Sequence, residues 1–483
     1  MIRLFDLGGD EPRERRVTRS ERRENEREAW PSSLWRDGNR RFHFPSPATD
    51  IGCNVLIIGA GFTGLWTALS ILRAEPGTSV VIVDMMQPGY GASGRNGGWC
   101  SSLLPMSPME VVRTFGVDGA AAMRGALENT VARIGEYGTS PGRDIGWAHN
   151  GSLTVATNEQ QAHRMNREVT AWSDAGATGV SWLESDALEH RIRVPGAMGA
   201  MHDAHCGVLN PYALVDSLVQ DVVDAGARIF GGSRVTKIGN GFAEVEGASG
   251  LSFVTADRVV VATEAYTTRM KGRHRSSAPV YSYVLATEPL SADAWDEIGW
   301  SGREALAEAT HLVSYAQRTR DGRIVLGGRG APYAFGSDIH ASRDTHARVH
   351  RALEDNLRRH FPAAGQVRVS HRWGGPVAVP RDMQAGVHVD PDTGAVHVGG
   401  YAGDGVALSH LAGRIAAHIA LGTDGPELDL PLHSHWSRSW EPEPLRWIGI
   451  NAALWGTKLA DRAESAGSEP GRLARVALGL SGT

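Results

Sequence analysis

Short apolar runs that end in a turn or in an acid open the folded part of the chain. Asn54–Ile58 is such a run and stops at a glycine, and Val80–Asp84 is a second one that stops at a carboxylate. Runs of this kind are typical of parallel strands buried on both faces. Between them, Leu65–Leu72 has the composition of a helix. The pattern therefore predicts a strand–helix–strand unit.

The rest of the pattern predicts further helices and short strands. The predicted helices are Met109–Gly138, Glu159–Ala175, Asn210–Ala225, Arg343–Phe361 and Val406–Leu421. The predicted strands are Gly151–Ala156, Arg228–Phe230, Arg234–Ile238, Phe253–Ala256, Arg258–Ala262, Val280–Ala286, Leu312–Ala316, Arg323–Gly328 and a run from Val396. Polar side chains alternate with apolar ones in the strands between residues 280 and 328, which indicates a sheet with one face on a cavity.

The first unit carries the G-x-G-x-x-G pattern of a dinucleotide-binding turn. Gly59 permits the tight turn, Gly61 lets a pyrophosphate approach the backbone, and Gly64 lets helix and strand pack closely. The helix N-terminus offers free N–H groups to phosphates. Asp84 follows Gly64 at about the 20-residue spacing expected of a ribose-binding acid. A merely structural turn is the less favoured reading.

Two more glycine-rich segments accompany this unit. Gly89–Gly98 is too rich in glycine for a strand or a stable helix, and it predicts a loop whose backbone lies against a ligand. A flexible surface loop is the alternative. Val396–Gly405 combines a strand with a glycine-rich turn, and a predicted helix follows it. The recurrence suggests that one ligand is held from both ends of the chain.

Composition narrows the classes of protein. A length of 483 residues favours two domains, and 41% hydrophobic with 21% charged residues is typical of a globular protein. The net charge of −5 gives no general attraction to nucleic acid, and no apolar run is long enough to span a membrane. Cys53, Cys100 and Cys206 form no C-x-x-C motif, so we expect a reducing cytoplasm.

Both ends of the chain differ from its centre. Residues 11–28 are mostly Arg and Glu, which predicts a frayed or disordered arm, with a salt-bridged helix as the alternative. Trp30, Leu34 and Trp35 follow the arm as candidates for docking on the folded body. The tail beyond residue 425 is rich in tryptophan, which indicates packing or a surface for a protein partner or self-association. A substrate cage is a less favoured alternative for the tail.

The ordered glycine motifs, together with Asp84 and Val261-Ala-Thr263, resemble those of the D-amino-acid oxidase-like FAD-dependent oxidoreductases. The run Gly91-Ala-Ser-Gly-Arg-Asn-Gly-Gly98 is most similar to the gamma-glutamylputrescine oxidase and glycine oxidase branch. The resemblance spans about residues 50–425. It implies an α/β fold, with an FAD-binding Rossmann-like domain of the glutathione-reductase type. An inserted α+β substrate domain would be built on a mixed or antiparallel sheet.

The resemblance also implies domain boundaries. The segments are 1–49 for the charged N-terminal arm, 50–105, 205–275 and 371–425 for the FAD-binding domain, 106–204 and 276–370 for the substrate domain, and 426–483 for the Trp-rich C-terminal tail.

By the same resemblance, FAD is the cofactor, bound without a covalent link because the loop after Gly91 has no His and the C-terminal glycine unit has no Cys. Cys100 is expected to be a buried, inert thiol. The residues implied in FAD binding are Gly59, Gly61, Phe62, Thr63, Gly64, Asp84, Ser93, Arg95, Asn96, Gly97, Val235, Thr263, Gly403, Asp404 and Gly405.

The implied activity is oxidation of an amine or amino acid at its C–N bond, with hydride transfer to flavin N5 and reoxidation by O2 to hydrogen peroxide. One alternative is a dehydrogenase that passes electrons to a quinone or a carrier protein. Another is a flavin-binding protein with a structural or partner-binding role. A disulfide reductase is disfavoured, since the chain lacks both the C-x4-C pair and a second dinucleotide fingerprint.

The catalytic residues are not evident from the sequence. Arg318 is a candidate for binding a substrate carboxylate, although a surface turn beside Asp321 is favoured. Tyr283, Tyr315 and Trp373 are pocket candidates that are more often plain core. His346 and His350 lie four residues apart, but no further metal ligands are evident. We therefore predict a solvated helix face there and no metal site.

Overall fold

A computed structural model describes residues 33–328, 330–468, 471 and 474. The predicted Arg/Glu arm at residues 11–28 and Trp30 lie outside these described residues. No helix within the described ranges is long and apolar enough to cross a membrane.

The described part of the chain forms nine labelled helices and eighteen strands. The helices are α1 Phe62–Ala74, α2 Pro108–Thr139, α3 Glu159–Asp174, α4 Ser185–Glu189, α5 Pro211–Asp224, α6 Ala292–Ile298, α7 Ala347–His360, α8 Gly405–Leu421 and α9 Leu445–Ser465. The strands are β1 Ile51–Ile58, β2 Val80–Val83, β3 Trp99–Ser101, β4 Ser152–Ala156, β5 Val180–Glu184, β6 Gly199–Asp203, β7 Cys206–Val208, β8 Arg228–Phe230, β9 Arg234–Gly239, β10 Phe242–Gly247, β11 Gly250–Val261, β12 Ala278–Thr287, β13 Ala305–Glu308, β14 Ser314–Arg318, β15 Ile324–Gly328, β16 Val369–Val379, β17 Gly386–Val389 and β18 Val396–Gly399.

The first large sheet contains the predicted strand–helix–strand unit. Its order is β17-β18-β11-β1-β2-β8, and β1 pairs in parallel with both β2 and β11. Every residue of β2 is buried, as are the last four of β1. Helices α1 and α8 pack together on one face. The antiparallel strands β9 and β10 continue from β11. The prediction of buried parallel strands is confirmed.

The second large sheet is mixed. Its order is β16-β12-β15-β14-β13-β4-β6-β5, in which β13 and β4 are parallel and the remaining pairs are antiparallel. Its core contains Trp300 stacked on Phe361 at 5.6 Å between ring centroids. A Rossmann-like sheet beside a mixed sheet is the predicted α/β fold class, which is confirmed.

Three local predictions need correction. The strands predicted at 253–256 and 258–262 form the single strand β11, because the polar pair Asp257-Arg258 stays exposed at the surface while β1 pairs along both halves. Strand β16 runs through the boundary predicted at residues 370/371, because its pairing with β12 continues to Val379. Helix α9 in the tail has no counterpart among the predicted elements.

The histidine pair on α7 does not form a solvated helix face. His346 caps the helix with its side chain. His350 is 3% exposed, and its Nε2 lies 3.2 Å from the carbonyl oxygen of Trp373. The predicted solvated face is therefore wrong for His350, which is a core residue with backbone partners.

Helix α9 fastens the tail to the second sheet. The carboxylate of Asp461 accepts hydrogen bonds from the backbone N–H groups of His311 at 2.7 Å and Leu312 at 3.0 Å. Glu464 pairs with Arg164 at 2.9 Å and with His311 at 3.0 Å. The tail is thus docked by specific polar contacts at the loop that precedes β14.

We expect Gly64→Ala to destabilise the first unit strongly. A Cβ at Gly64 would lie 1.9 Å from the carbonyl oxygen of Gly59, so strand and helix would have to separate. The free energy of unfolding in urea should fall by about 3 kcal/mol or more.

Gly125→Ala is the matched control, since a Cβ there meets nothing within 4 Å inside helix α2. It should leave stability within about 1 kcal/mol of the wild type, on the stabilising side. Equal effects of the two substitutions would contradict the close approach at Gly64.

Candidate functional site

A groove of about 1370 Å³ lies where the predicted glycine turns meet. Both the turn at Gly61 and the turn at Gly403 line it, although they are remote in sequence. Thr63 and Tyr401, one from each turn, share a hydrogen bond of 2.8 Å between their hydroxyl oxygens. The predicted cofactor residues that line the groove are Gly59, Gly61, Phe62, Thr63, Asp84, Ser93, Asn96, Val235, Thr263, Gly403 and Gly405.

Two helices begin at this groove without a side-chain cap. Gly61, which has no side chain, precedes α1, and Asp404 precedes α8 without a side-chain hydrogen bond to the helix N-terminus. Side chains do cap α2, α3, α5, α6 and α7. Helices α4 and α9 also lack such a cap. At the groove, Ser93 Oγ accepts from the N–H of Phe62, and the other N-terminal N–H groups of α1 and α8 can face a ligand, with positive partial charge behind them. This arrangement fits the negative groups of a dinucleotide.

Asp84 holds the first glycine turn. Its Oδ2 accepts a hydrogen bond of 2.7 Å from the N–H of Ala60, and its Oδ1 accepts one of 2.8 Å from Met86. Burial raises the pKa of this carboxyl group. Each oxygen retains acceptor capacity, so the carboxylate is fixed in position and can still receive a hydroxyl.

The loop at Gly89–Gly98 lies over the start of α1 and is braced from several sides. Ser93 Oγ accepts a hydrogen bond of 2.8 Å from the N–H of Phe62. Asn96 bonds to the backbone of its own loop, including the N–H of Gly98 at 2.8 Å. Trp35 donates from Nε1 to the carbonyl oxygen of Asn96 at 2.7 Å. The docking expected of Trp35 therefore occurs on this loop.

Arg95 lies beside the groove but not in its lining. It is 3% exposed, and its Nη1 donates to Asp344 at 2.9 Å and to the carbonyl oxygen of Gly374 at 3.0 Å. These partners belong to the loop before α7 and to β16, so Arg95 ties the glycine loop to the second large sheet. Gly64, Gly97 and Asp404 also lie outside the lining.

Glu264 is a site residue that the sequence did not reveal. It follows β11 with a φ of 46° and accepts hydrogen bonds from the N–H groups of Gly400 at 3.0 Å and Tyr401 at 3.4 Å. Burial raises its pKa to about 7. Its carboxyl group therefore holds the second glycine turn, as Asp84 holds the first. The only available signal was the position of an acid directly after a buried strand.

The pocket candidates lie away from the groove lining. Tyr283 and Trp373 are fully buried core residues, and Trp373 Nε1 donates to the carbonyl oxygen of Arg95 at 2.8 Å. Arg318 lies 3.9 Å over the ring of Trp295 and donates to the carbonyl oxygen of Trp300 at 2.9 Å.

Strand β14 presents neutral side chains to the glycine loop. The ring of Tyr315 packs directly on Gly97, where any Cβ would meet it. Gln317 donates from Nε2 to the carbonyl oxygens of Gly97 at 2.5 Å and Leu209 at 3.2 Å. Arg318 points to the opposite side of the strand. Gln317 was not singled out from the sequence, because a buried amide carries no motif.

Cys100 is fully buried, and burial raises the pKa of its thiol. The expectation of a buried thiol is confirmed.

We expect Glu264 to impose a pH dependence on stability. Its folded pKa of about 7 lies above the ordinary 4.5, so the folded state holds a proton that the unfolded state releases between these values. Stability should therefore fall as pH rises from 4.5 to 7, by up to about 3 kcal/mol. Urea unfolding of cofactor-stripped protein at several pH values measures this.

Glu264→Gln should reduce this slope, with the rest left to other buried carboxyl groups such as Asp84, whereas Glu136→Gln, at an exposed position of α2, should keep it in full. A slope that persists unchanged in Glu264→Gln would assign the pH dependence to other groups.

Arg318→Gln should lower stability and leave substrate affinity unchanged. The variant loses the contact with Trp295 and the bond to Trp300, which together are worth about 1–3 kcal/mol. The KM of the substrate should stay within about twofold, because Arg318 faces away from the glycine loop. Arg320→Gln, at an exposed surface pair with Asp144, is the control. A large rise in KM at unchanged stability would instead indicate that Arg318 binds the substrate.

Comparison with known proteins agrees with this geometry. The model of the family described as FAD dependent oxidoreductase (DAO) matches residues 54–419. OrdL of Haemophilus influenzae is 30% identical, over 80% of this chain and 87% of its own length. Gamma-glutamylputrescine oxidoreductase of Escherichia coli is 29% identical over the same shares.

Solved structures show the same fold. Glycine oxidase from Geobacillus kaustophilus superposes with a TM-score of 0.65 at 20% identity, over 81% of this chain and 100% of that chain. L-proline dehydrogenase from P. horikoshii gives a TM-score of 0.63 at 16% identity, over 79% and 96%. With two glycine turns and two uncapped helices on one groove, and a family match over most of its length, this chain belongs to the DAO family of FAD-dependent oxidoreductases.

Proposed function

We propose that the protein is an FAD-dependent oxidase that acts on the C–N bond of an amine or amino acid. The observation that carries the proposal is the hydrogen bond between Thr63 and Tyr401, which joins the two glycine turns on one groove. A ligand that fills this groove would contact both turns, which suits a dinucleotide of FAD's length.

Different groups of the chain would bind different parts of FAD. The N-terminus of α1 would hold the pyrophosphate, Asp84 the ribose, and the backbone of Val235 the adenine. The N-terminus of α8 would stabilise the negative charge that reduction adds to the ring system. When bound, FAD supplies the hydride acceptor, with hydrolysis of the imine product by water and reoxidation by O2 to hydrogen peroxide.

The neutral surface of β14 supports an amine donor over an amino acid. Tyr315 and Gln317 occupy the side that faces the glycine loop, and Arg318 is engaged on the other side with Trp295. A guanidinium group on the loop-facing side would suit a substrate carboxylate, and β14 offers none there. The name of the E. coli relative, a gamma-glutamylputrescine oxidoreductase, points to polyamine-type donors.

The remaining proposals concern the cofactor link, the partners and the compartment. We infer non-covalent FAD, since the groove-lining residues within the described ranges include neither His nor Cys.

Exposed Ile448 and Trp455 on α9 support a protein partner or a second copy at the tail. Three free cysteines support the cytoplasm as the compartment.

An anaerobic screen tests the proposed activity. The purified protein should be yellow, and heating in acid should release its flavin into the supernatant. Glycine, sarcosine, proline, putrescine and γ-glutamylputrescine are then added in turn while the flavin absorbance is followed. We expect a polyamine-type donor to bleach it fastest. Photoreduction is the control that the bound flavin can be reduced.

Failure of every amine and amino acid to bleach a photoreducible flavin would contradict the proposal and favour a structural role. Where a donor does bleach it, O2 uptake with stoichiometric hydrogen peroxide is expected on admission of air. Slow reoxidation by O2 and fast reoxidation by a soluble quinone would instead identify a dehydrogenase.

A further inference from the structure

A second cavity, of about 600 Å³, lies beside the second glycine turn. Its floor is the β17–β18 hairpin, and its walls are Arg273, Ser276, Ser277 and tail residues 435–437. Glu264 lines both this cavity and the groove, and among the described residues it is the only one common to the two linings. The cavity is therefore separate from the proposed FAD site.

The hairpin gives the cavity a pair of histidines. His388 and His397 are directly opposite in the antiparallel register, so both project from the same face. Their rings stack at 5.4 Å between centroids. Their neighbours Val387 and Val398 are buried in the core on the opposite face. Because side chains alternate between the two faces of a strand, both imidazole rings lie on the face that lines the cavity.

The tail closes the cavity over this pair. Trp436 contacts His388 edge-on, with 3.5 Å between ring centroids. The preceding residues run beside β17, where Ser434 donates its N–H to the carbonyl oxygen of Val387 at 2.8 Å. Trp440 donates from Nε1 to the carbonyl oxygen of Val379 at 2.8 Å. Trp436 is held in place from both sides.

Two buried polar atoms of the lining have no hydrogen-bond partner among the described residues. They are Ser277 Oγ and His388 Nε2. Ser277 is only 5% exposed, so its hydroxyl is withdrawn from bulk solvent. Buried polar groups are nearly always paired, and an unpaired one is costly. A polar ligand in the cavity could form hydrogen bonds with both atoms.

The charges of the lining favour a negative ligand. Arg273 contributes a guanidinium group that pairs with Asp390 and lies 4.8 Å from the ring centroid of Trp436. Five donors make a guanidinium group capable of holding a second anion. Glu264 has the one carboxyl group among the described residues of the lining, and it already accepts hydrogen bonds from Gly400 and Tyr401. Among the described residues of the lining, Arg273 thus supplies the charged donor, and no carboxyl group is left without donors of its own.

We propose that this cavity is a second ligand site that binds a small oxyanion, a phosphate or a carboxylate group. Arg273, Ser277 and His388 hold the anion, and Trp436 covers it. This site gives tail residues 435–437 a role in recognising the anion. The site is independent of the proposed oxidation of amines.

Titration calorimetry on the FAD-loaded protein tests the proposal. Sodium phosphate and sodium acetate are titrated separately, each against sodium chloride of equal ionic strength. We expect phosphate, acetate or both to bind, and the pair of titrations tells which oxyanion is preferred. Ser277→Ala and His388→Gln should each weaken that binding by about tenfold or more, since each removes a bond to a charged ligand.

Matched controls are Ser181→Ala and His43→Gln, both at exposed positions far from the lining in sequence, which should bind as the wild type does. Without added anion, Ser277→Ala should be at least as stable as the wild type, because it removes an unpaired buried hydroxyl. The flavin absorbance of the same samples shows that the groove is filled.

No binding beyond chloride, with the flavin in place, would overturn the proposal. So would unchanged affinity in both Ser277→Ala and His388→Gln, because the anion would then sit elsewhere. Either result leaves the proposed oxidase activity untouched, since that activity is read from flavin bleaching.

Discussion

The groove depends on the absence of side chains where three backbone segments meet. A Cβ at Gly59 would lie 2.4 Å from the carbonyl oxygen of Ala262, and one at Gly64 would lie 1.9 Å from the carbonyl oxygen of Gly59. Strand β1, helix α1 and the end of β11 therefore meet at distances that only glycine allows. Because they meet, the second glycine turn comes within hydrogen-bond distance of the first. The binding groove is a consequence of this contact.

Each glycine turn is then held by a carboxyl group from the end of a neighbouring strand. Asp84 follows β2 and binds the N–H of Ala60, while Glu264 follows β11 and binds the N–H of Gly400. Glycine turns are conformationally free, so an anchor is needed if their N–H groups are to face a ligand in advance. The two acids supply that anchor while the helix N-termini of α1 and α8 stay open. The acids thus order the turns, and the N–H groups that would face a ligand belong to other residues.

The sequence predicted the features that depend on a few neighbouring residues, and it did not predict those that depend on contacts between distant parts of the chain. The turn at Gly59–Gly64 and the strand before it follow from composition and spacing over a few residues, and both are present in the fold. Glu264 and Gln317 could not be found this way, because their roles arise from partners more than a hundred residues away. At Arg318 the sequence suggested a role that the fold does not support. A guanidinium group suits a substrate carboxylate, but the alternation of side chains along β14 turns Arg318 toward Trp295.

The central claim is that one FAD molecule contacts both glycine turns. An experimental structure of the purified yellow protein tests it most directly. The account predicts the pyrophosphate at the N-terminus of α1 and the ring system against residues 403–405. A flavin that contacts only one of the two turns, or that lies outside the groove between them, would contradict the account.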